Sequence, residues 1–78
     1  MHITVKLFGT LRRLSQPETP GLWQGELSDG TTLRELVLLL GTQVEEVAAA
    51  AVNGTVLPLE STIPDGAVVM LVTPVSGG

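Results

Sequence analysis

The sequence closes on Gly77-Gly78, and the terminal carboxyl of Gly78 is the first group in it that could do chemistry. Glycine lacks a Cβ, so two in succession give the slimmest and most pliable backbone available for entering a narrow channel in another protein. The bland alternative is a frayed terminus. The other reactive groups offer less. There is no cysteine, which excludes thiol nucleophiles and thiolate metal sites. His2 stands alone, and the carboxylates fall into no catalytic pattern. Asp29-Gly30 and Asp65-Gly66 read as turn residues before metal ligands.

The elements that must carry such a tail are short. Seventy-eight residues at 44% hydrophobic content make one small domain with a single core. The formal charge of −4 disfavours nucleic acid, which needs a basic stripe, and one Phe with no Tyr gives no platform for stacking bases. No basic region precedes a long apolar segment, so no signal peptide is expected. The apolar runs Val47–Val52 and Ala67–Val72 are too short to span a bilayer. A cytoplasmic protein without a membrane partner is the expectation, and the lack of cysteine suits a reducing compartment.

Residues 2–8 alternate, with Ile3, Val5 and Leu7 on one side and His2, Thr4, Lys6 and Phe8 on the other, as in a strand with one buried face. Residues 9–21 read as a loop with a helical turn at Thr10–Leu14, and Arg12-Arg13 as part of a solvated loop. Leu22–Leu27 reads as a strand, ended by the turn Ser28-Asp29-Gly30. Thr31 or Thr32 caps a helix, with Glu35 placed for a capping box after Thr32. Leu33, Leu36, Val37 and Leu40 follow at helical spacing, and Gly41 stops the run. The Leu36–Leu40 stretch is expected in the core. Gln43–Glu46 forms a brief turn. Val47–Val52 reads as a strand before Asn53-Gly54, a hairpin signal, although its alanines also suit a helix. Thr55–Leu57 and Ala67–Thr73 complete the order β-β-α-β-β-β. The last strand is apolar on both faces, as a central strand would be. The first and last strands are expected side by side and parallel.

Together these pieces resemble the MoaD/ThiS group of ubiquitin-like sulfur carriers, most closely the small subunit of molybdopterin synthase. The resemblance lies in Val5-Lys6-Leu7-Phe8-Gly9-Thr10-Leu11-Arg12, Ala51-Val52-Asn53-Gly54, Ile63-Pro64-Asp65-Gly66 and Pro74-Val75-Ser76-Gly77-Gly78, in that order. It departs where Ala67 and Val68, rather than acids, follow Asp65-Gly66. It departs again where Thr73 stands in place of a first proline before Pro74. The resemblance implies an α+β, β-grasp (ubiquitin-like) domain, a mixed sheet of four to five strands packed on one main helix. It spans residues 1–75, with 76–78 as a flexible tail.

The resemblance also implies a job. An E1-like adenylating enzyme uses ATP to adenylate the Gly78 carboxylate, and sulfur from a persulfide donor replaces AMP to leave a thiocarboxylate. The large subunit of molybdopterin synthase, in a heterotetramer, then moves the sulfur onto a pterin precursor. On that reading the domain binds no cofactor or metal itself and is not catalytic alone. Other pathways, such as thiamine synthesis or tRNA thiolation, and a ubiquitin-like protein modifier remain as alternatives. Val75, Ser76 and Gly77 form the tether, expected to protrude and to move freely in the monomer, and Pro74 stiffens its root. Strand parity puts Phe8, Met70 and Val72 opposite the core, and with Val56 they form an apolar patch beside the tail; these four and Pro74 are the expected partner surface. Trp23 is expected to pack rather than to bind a ligand.

Overall fold

A computed structural model describes residues 1–73. Five strands form one mixed sheet in the order β2-β1-β5-β3-β4. They are β1 (His2–Leu7), β2 (Leu22–Glu26), β3 (Ala49–Val52), β4 (Thr55–Leu57) and β5 (Val68–Val72). The single α-helix among the described residues, α1 (Leu33–Leu39), lies between β2 and β3 in the chain. β1 pairs antiparallel with β2 and parallel with β5, with Val5 opposite both Trp23 and Val69. The expected parallel pairing of first and last strands is therefore present. It puts β5 at the centre of the sheet, which accounts for apolar residues on both of its faces.

The core follows the alternation. Ile3, Val5 and Leu7 of β1, Val69 and Leu71 of β5, and Ala50 and Val52 of β3 are buried with Leu33, Leu36 and Val37 of α1. A 3-10 helix, Gly9–Leu14, adds Leu11, also fully buried. Its residues match the expected turn at Thr10–Leu14.

α1 is short, so packing of Leu33, Leu36 and Val37 holds it, and its end groups also need partners. Thr32 is the N-cap with a complete capping box: its Oγ1 accepts from the Glu35 amide at 3.2 Å, and its own amide donates to Glu35 Oε1 at 2.9 Å. The loop that leads into β5 takes up the first two helical amides. Leu33 N–H donates to the Ser61 carbonyl and Arg34 N–H to the Leu59 carbonyl, at 3.0 and 2.8 Å. These are the donors that a helix leaves unpaired at its start. At the other end Gly41 has φ +95°, Gly41 N–H donates to the Leu38 carbonyl and Thr42 N–H to that of Val37, a Schellman cap.

Two expectations are corrected here. Leu38 and Leu39 are exposed rather than in the core, because a helix of this length turns only Leu33, Leu36 and Val37 towards the sheet. Arg13 is not simply solvated: it is fixed by an ion pair to Glu46, described below.

The Val47–Val52 run enters β3 at Ala49, as a strand and not a helix. Asn53 and Gly54 then take φ of +50° and +90°, the pair of left-handed residues that a two-residue hairpin needs to match strand twist. Asn53 has a second task, because its Oδ1 accepts from the Val68 amide at 2.9 Å and ties the hairpin to the start of β5.

Candidate functional site

The register of the sheet assembles the outer face, the one turned away from α1. Leu22, Lys6, Met70, Ala51 and Val56 are successive cross-strand partners and form one row across all five strands. In the neighbouring row Val72 is paired with Ala49. Phe8 N–H donates to the Leu71 carbonyl at 3.2 Å, so β1 continues beyond its last ladder pair and sets Phe8 beside Val72.

Of the five residues expected at a partner surface, the four described ones, Phe8, Val56, Met70 and Val72, thus share one face, and Pro74 lies outside the described residues. Val56 is 68% exposed and Phe8 39%, while Met70 and Val72 are half-buried between them. Ala49 and Ala51 complete the patch, and sequence reasoning did not single them out. Alternation says that every second alanine of the run faces outward. Which set does so is fixed only by its register with β5.

The face is divided by polarity. His2, Thr4, Gln24 and Glu26 occupy the end where β1 begins, and His2 Nδ1 lies 3.2 Å from Glu26 Oε2. The apolar residues gather at the opposite end, where β5 terminates. Lys6 stands at the boundary, exposed, with no acid within ion-pair distance among the described residues.

β5 ends at Val72, and Thr73 after it is half-buried. The chain therefore leaves the sheet at the apolar end of this face. The expected tether and reacting group, Pro74, Val75, Ser76, Gly77 and Gly78, lie outside the described residues, as does the expectation that the tail moves freely.

Behind the rim of the patch an ion pair fixes the 3-10 helix. Arg13 Nη2 donates to both carboxylate oxygens of Glu46, at 3.1 and 2.9 Å, and to Thr42 Oγ1 at 3.3 Å, while Nη1 donates to the Thr10 carbonyl at 3.0 Å. The Thr42 hydroxyl and the Arg13 guanidinium hold the Glu46 carboxyl below the ordinary value of 4.5. A second pair, Arg34–Glu60 at 2.7 Å, joins α1 to the loop before β5. There the Arg34 hydrogen bond, helped by the Glu60 amide, lowers the Glu60 pKa. Both pairs are partners distant in sequence, and no local pattern announces them.

A mixed sheet with parallel first and last strands, packed on one helix, with the chain leaving beside an apolar outer face, defines a ubiquitin-like β-grasp domain. The model of the ThiS family matches residues 5–78, and the chain belongs to that family.

Solved structures agree on the fold. SAMP1 from Haloferax volcanii superposes with a TM-score of 0.72 at 18% identity, over 100% of both chains. A putative molybdopterin converting factor subunit 1 from Pyrococcus furiosus gives 0.70 at 25% identity, covering 95% of this chain and 98% of its own. A protein–protein complex of subunits 1 and 2 of the molybdopterin-converting factor from Helicobacter pylori 26695 contains a chain that matches with 0.58 at 27% identity, over 100% of both. Comparison with curated proteins gives no match. Among the described residues no helix is long and apolar enough to cross a membrane.

Proposed function

We propose that this protein is a cytoplasmic sulfur carrier for molybdopterin synthesis, working through a thiocarboxylate at Gly78. The observation that carries the reading is the ThiS family match, which runs through the Gly77-Gly78 end of the sequence. The two neighbours named as molybdopterin-converting factor, at 25% and 27% identity, favour that pathway over thiamine synthesis or tRNA thiolation.

A carboxylate is a poor electrophile, so activation must come first. A Gly78 oxygen attacks the α-phosphorus of ATP in an E1-like enzyme, and pyrophosphate leaves. A donor persulfide sulfur then attacks the acyl carbon and AMP leaves. A thiol reductant cleaves the remaining S–S bond, giving the thiocarboxylate. Splitting one difficult substitution in this way is the logic of covalent activation. The domain's own task is to present the tail. Its apolar outer face docks first the activating enzyme and then the large synthase subunit, in a heterotetramer; the Helicobacter pylori complex of subunits 1 and 2 supports a large-subunit partner. Gly77 and Gly78 are slim enough to thread a catalytic channel.

The test is intact mass after incubation with ATP, an activating enzyme and a sulfur donor. Oxygen-to-sulfur exchange is the expected outcome. Covalent ladders on lysine-bearing proteins would make the chain a protein modifier instead, and an unchanged mass under competent conditions would make the tail inert. Deleting Gly78, or adding one residue after it, is expected to abolish sulfur transfer and leave the domain folded. One residue moves the end by about 3.3–3.6 Å, and misplacement by about 1 Å can cost on the order of 10²-fold.

A further inference from the structure

β2 is an edge strand of the sheet, and an edge strand turns a row of backbone groups outward. The ladder shows which groups those are. Leu7 N–H donates to the Gly21 carbonyl, and Leu27 N–H to that of Met1. Bonded and non-bonded residues alternate along an antiparallel pair, so Leu22, Gln24 and Glu26 direct their N–H and C=O away from β1. Left open, such a row is where another strand adds to a sheet.

Here most of the row is already taken. Leu22 N–H donates to the Thr19 carbonyl at 2.9 Å, and the Leu22 carbonyl accepts from Gln16 N–H at 3.1 Å and from Thr19 Oγ1 at 3.3 Å. Gln24 is covered by a side chain. Its N–H donates to Gln16 Oε1 at 3.2 Å, and its carbonyl accepts from Gln16 Nε2 at 2.7 Å. A primary amide carries a donor and an acceptor side by side, as a peptide does, so Gln16 stands in for one residue of a missing neighbour strand. Two of these bonds join backbone to backbone, and no side-chain rotation undoes them. The strap is itself braced. Thr19 N–H closes the turn Gln16-Pro17-Glu18-Thr19 on the Gln16 carbonyl at 3.0 Å, with Pro17 at the position that favours such a turn. Of the three outward residues Glu26 remains, and its exposed carboxylate opposes strand addition.

We infer that Gln16–Thr19 is a built-in strand mimic that closes the β2 edge to a second copy of this chain, and so leaves the outer face as the surface through which the sheet is recognised. A second copy is the partner at stake, because two uncovered β2 edges would join two sheets into one. The opposite edge is blunted by length instead. β4 has three residues, Thr55–Leu57, and Pro58 after it has no N–H to offer. The inference concerns the free domain and stands apart from any sulfur chemistry.

The experiment compares Gln16→Ala, Glu26→Thr and the double variant with wild type, by sedimentation over a range of concentrations and by hydrogen exchange at the Gln24 amide. Gln16→Ala keeps the backbone bonds to Leu22 and removes both bonds to Gln24. Exchange at Gln24 should therefore rise roughly tenfold in dilute solution. Glu26→Thr removes only the charge and should sediment as wild type does. In the double variant positions 24 and 26 are both open. Its mass should climb towards twice the monomer's with concentration, and Gln24 should regain protection as it does. Gln16→Met keeps the stem and loses the amide, and it takes the place of Gln16→Ala if circular dichroism shows that variant unfolded. A double variant that sediments as wild type does at every concentration would overturn the inference. Glu26→Thr associating to the same extent on its own would make the charge, and not the strap, the guard. Association that leaves Gln24 unprotected would place the contact on another surface, and an unchanged Gln24 exchange rate in Gln16→Ala would show that the strap does not hold the edge; each of these overturns it as well.

Discussion

Replacing Val72 by Asp tests whether the outer face is a docking surface. Val72 lies on the central strand, half-buried, with Ala49 opposite and Phe8 beside it. A fully buried valine side chain is worth about 1.5–3 kcal/mol over an exposed one. The sheet already covers part of this side chain, which leaves about 1 kcal/mol for a partner to supply. The carboxylate adds a further penalty of about 1–3 kcal/mol, because a docked face leaves it dry and without a donor. Lys6, the nearest cation by register, lies one row away beside Met70. The sum is about 2–4 kcal/mol, or roughly 30- to 1,000-fold in Kd.

The free domain loses less. Partial burial and strand preference together cost about 1–2 kcal/mol, against roughly 4–12 kcal/mol expected for a chain this long. The variant should therefore fold. The assay is titration calorimetry against the large synthase subunit, with circular dichroism and urea melts alongside. Val56→Asp is the companion variant. Val56 is 68% exposed on the edge strand, where a carboxylate stays wet, so its loss should be under about 1 kcal/mol. If Val72→Asp binds as wild type does, the face is not the interface. If it unfolds, Val72 belongs to the core and the parity argument is wrong.

Thr32→Ala removes the N-cap oxygen of α1 and should lower stability by about 1 kcal/mol, seen as a reduced urea midpoint with an unchanged slope. Asn53→Ala should cost about 1–2 kcal/mol, because it forfeits both a tolerated positive φ and the bond to Val68 N–H; a midpoint equal to wild type would refute the double role. Glu46 has a folded pKa below the ordinary 4.5, so its contribution is complete above that value and is lost as pH falls through the lower, folded one. Urea midpoints at pH 6 and pH 3 should accordingly differ less in Glu46→Gln than in wild type, and an equal difference would show that the pair to Arg13 adds nothing.

The parts of the fold that sequence made plain are those set by neighbours in the chain. The alternation in His2–Leu7 shows the buried face, and it leaves Phe8 on the outer one. Thr32 with Glu35 marks the helix start, and Asn53-Gly54 marks the hairpin. The parts that stayed hidden depend on residues far apart in sequence. Ala49 and Ala51 join the outer face only through pairing with Val72 and Met70. Arg13 reads as a solvated cation until the fold brings Glu46, thirty-three residues on, to within 2.9 Å of it. Leu36–Leu40 reads as one core run because a small domain needs apolar residues, but Leu38 and Leu39 fall on the side of α1 turned away from the sheet. The candidate site divides in the same way. Phe8, Met70 and Val72 were legible by parity, whereas Ala49 and Ala51 were not, since only pairing with β5 decides which alanines face outward.

The parallel pairing of β1 with β5 has a consequence for synthesis. The two strands that form the middle of the sheet are separated by almost the whole domain, so the sheet cannot close until residue 72 has cleared the ribosome. Long-range pairing of this kind is slow, because loop closure precedes any reward from contacts. Met70 and Val72 arrive with β5 itself, so an unfinished chain carries no assembled apolar outer face. Nascent chains stalled with residue 66 at the tunnel exit should be cleaved readily by protease, and those stalled well past residue 78 should resist. Protection already present at the earlier point would show that the domain forms without its central strand.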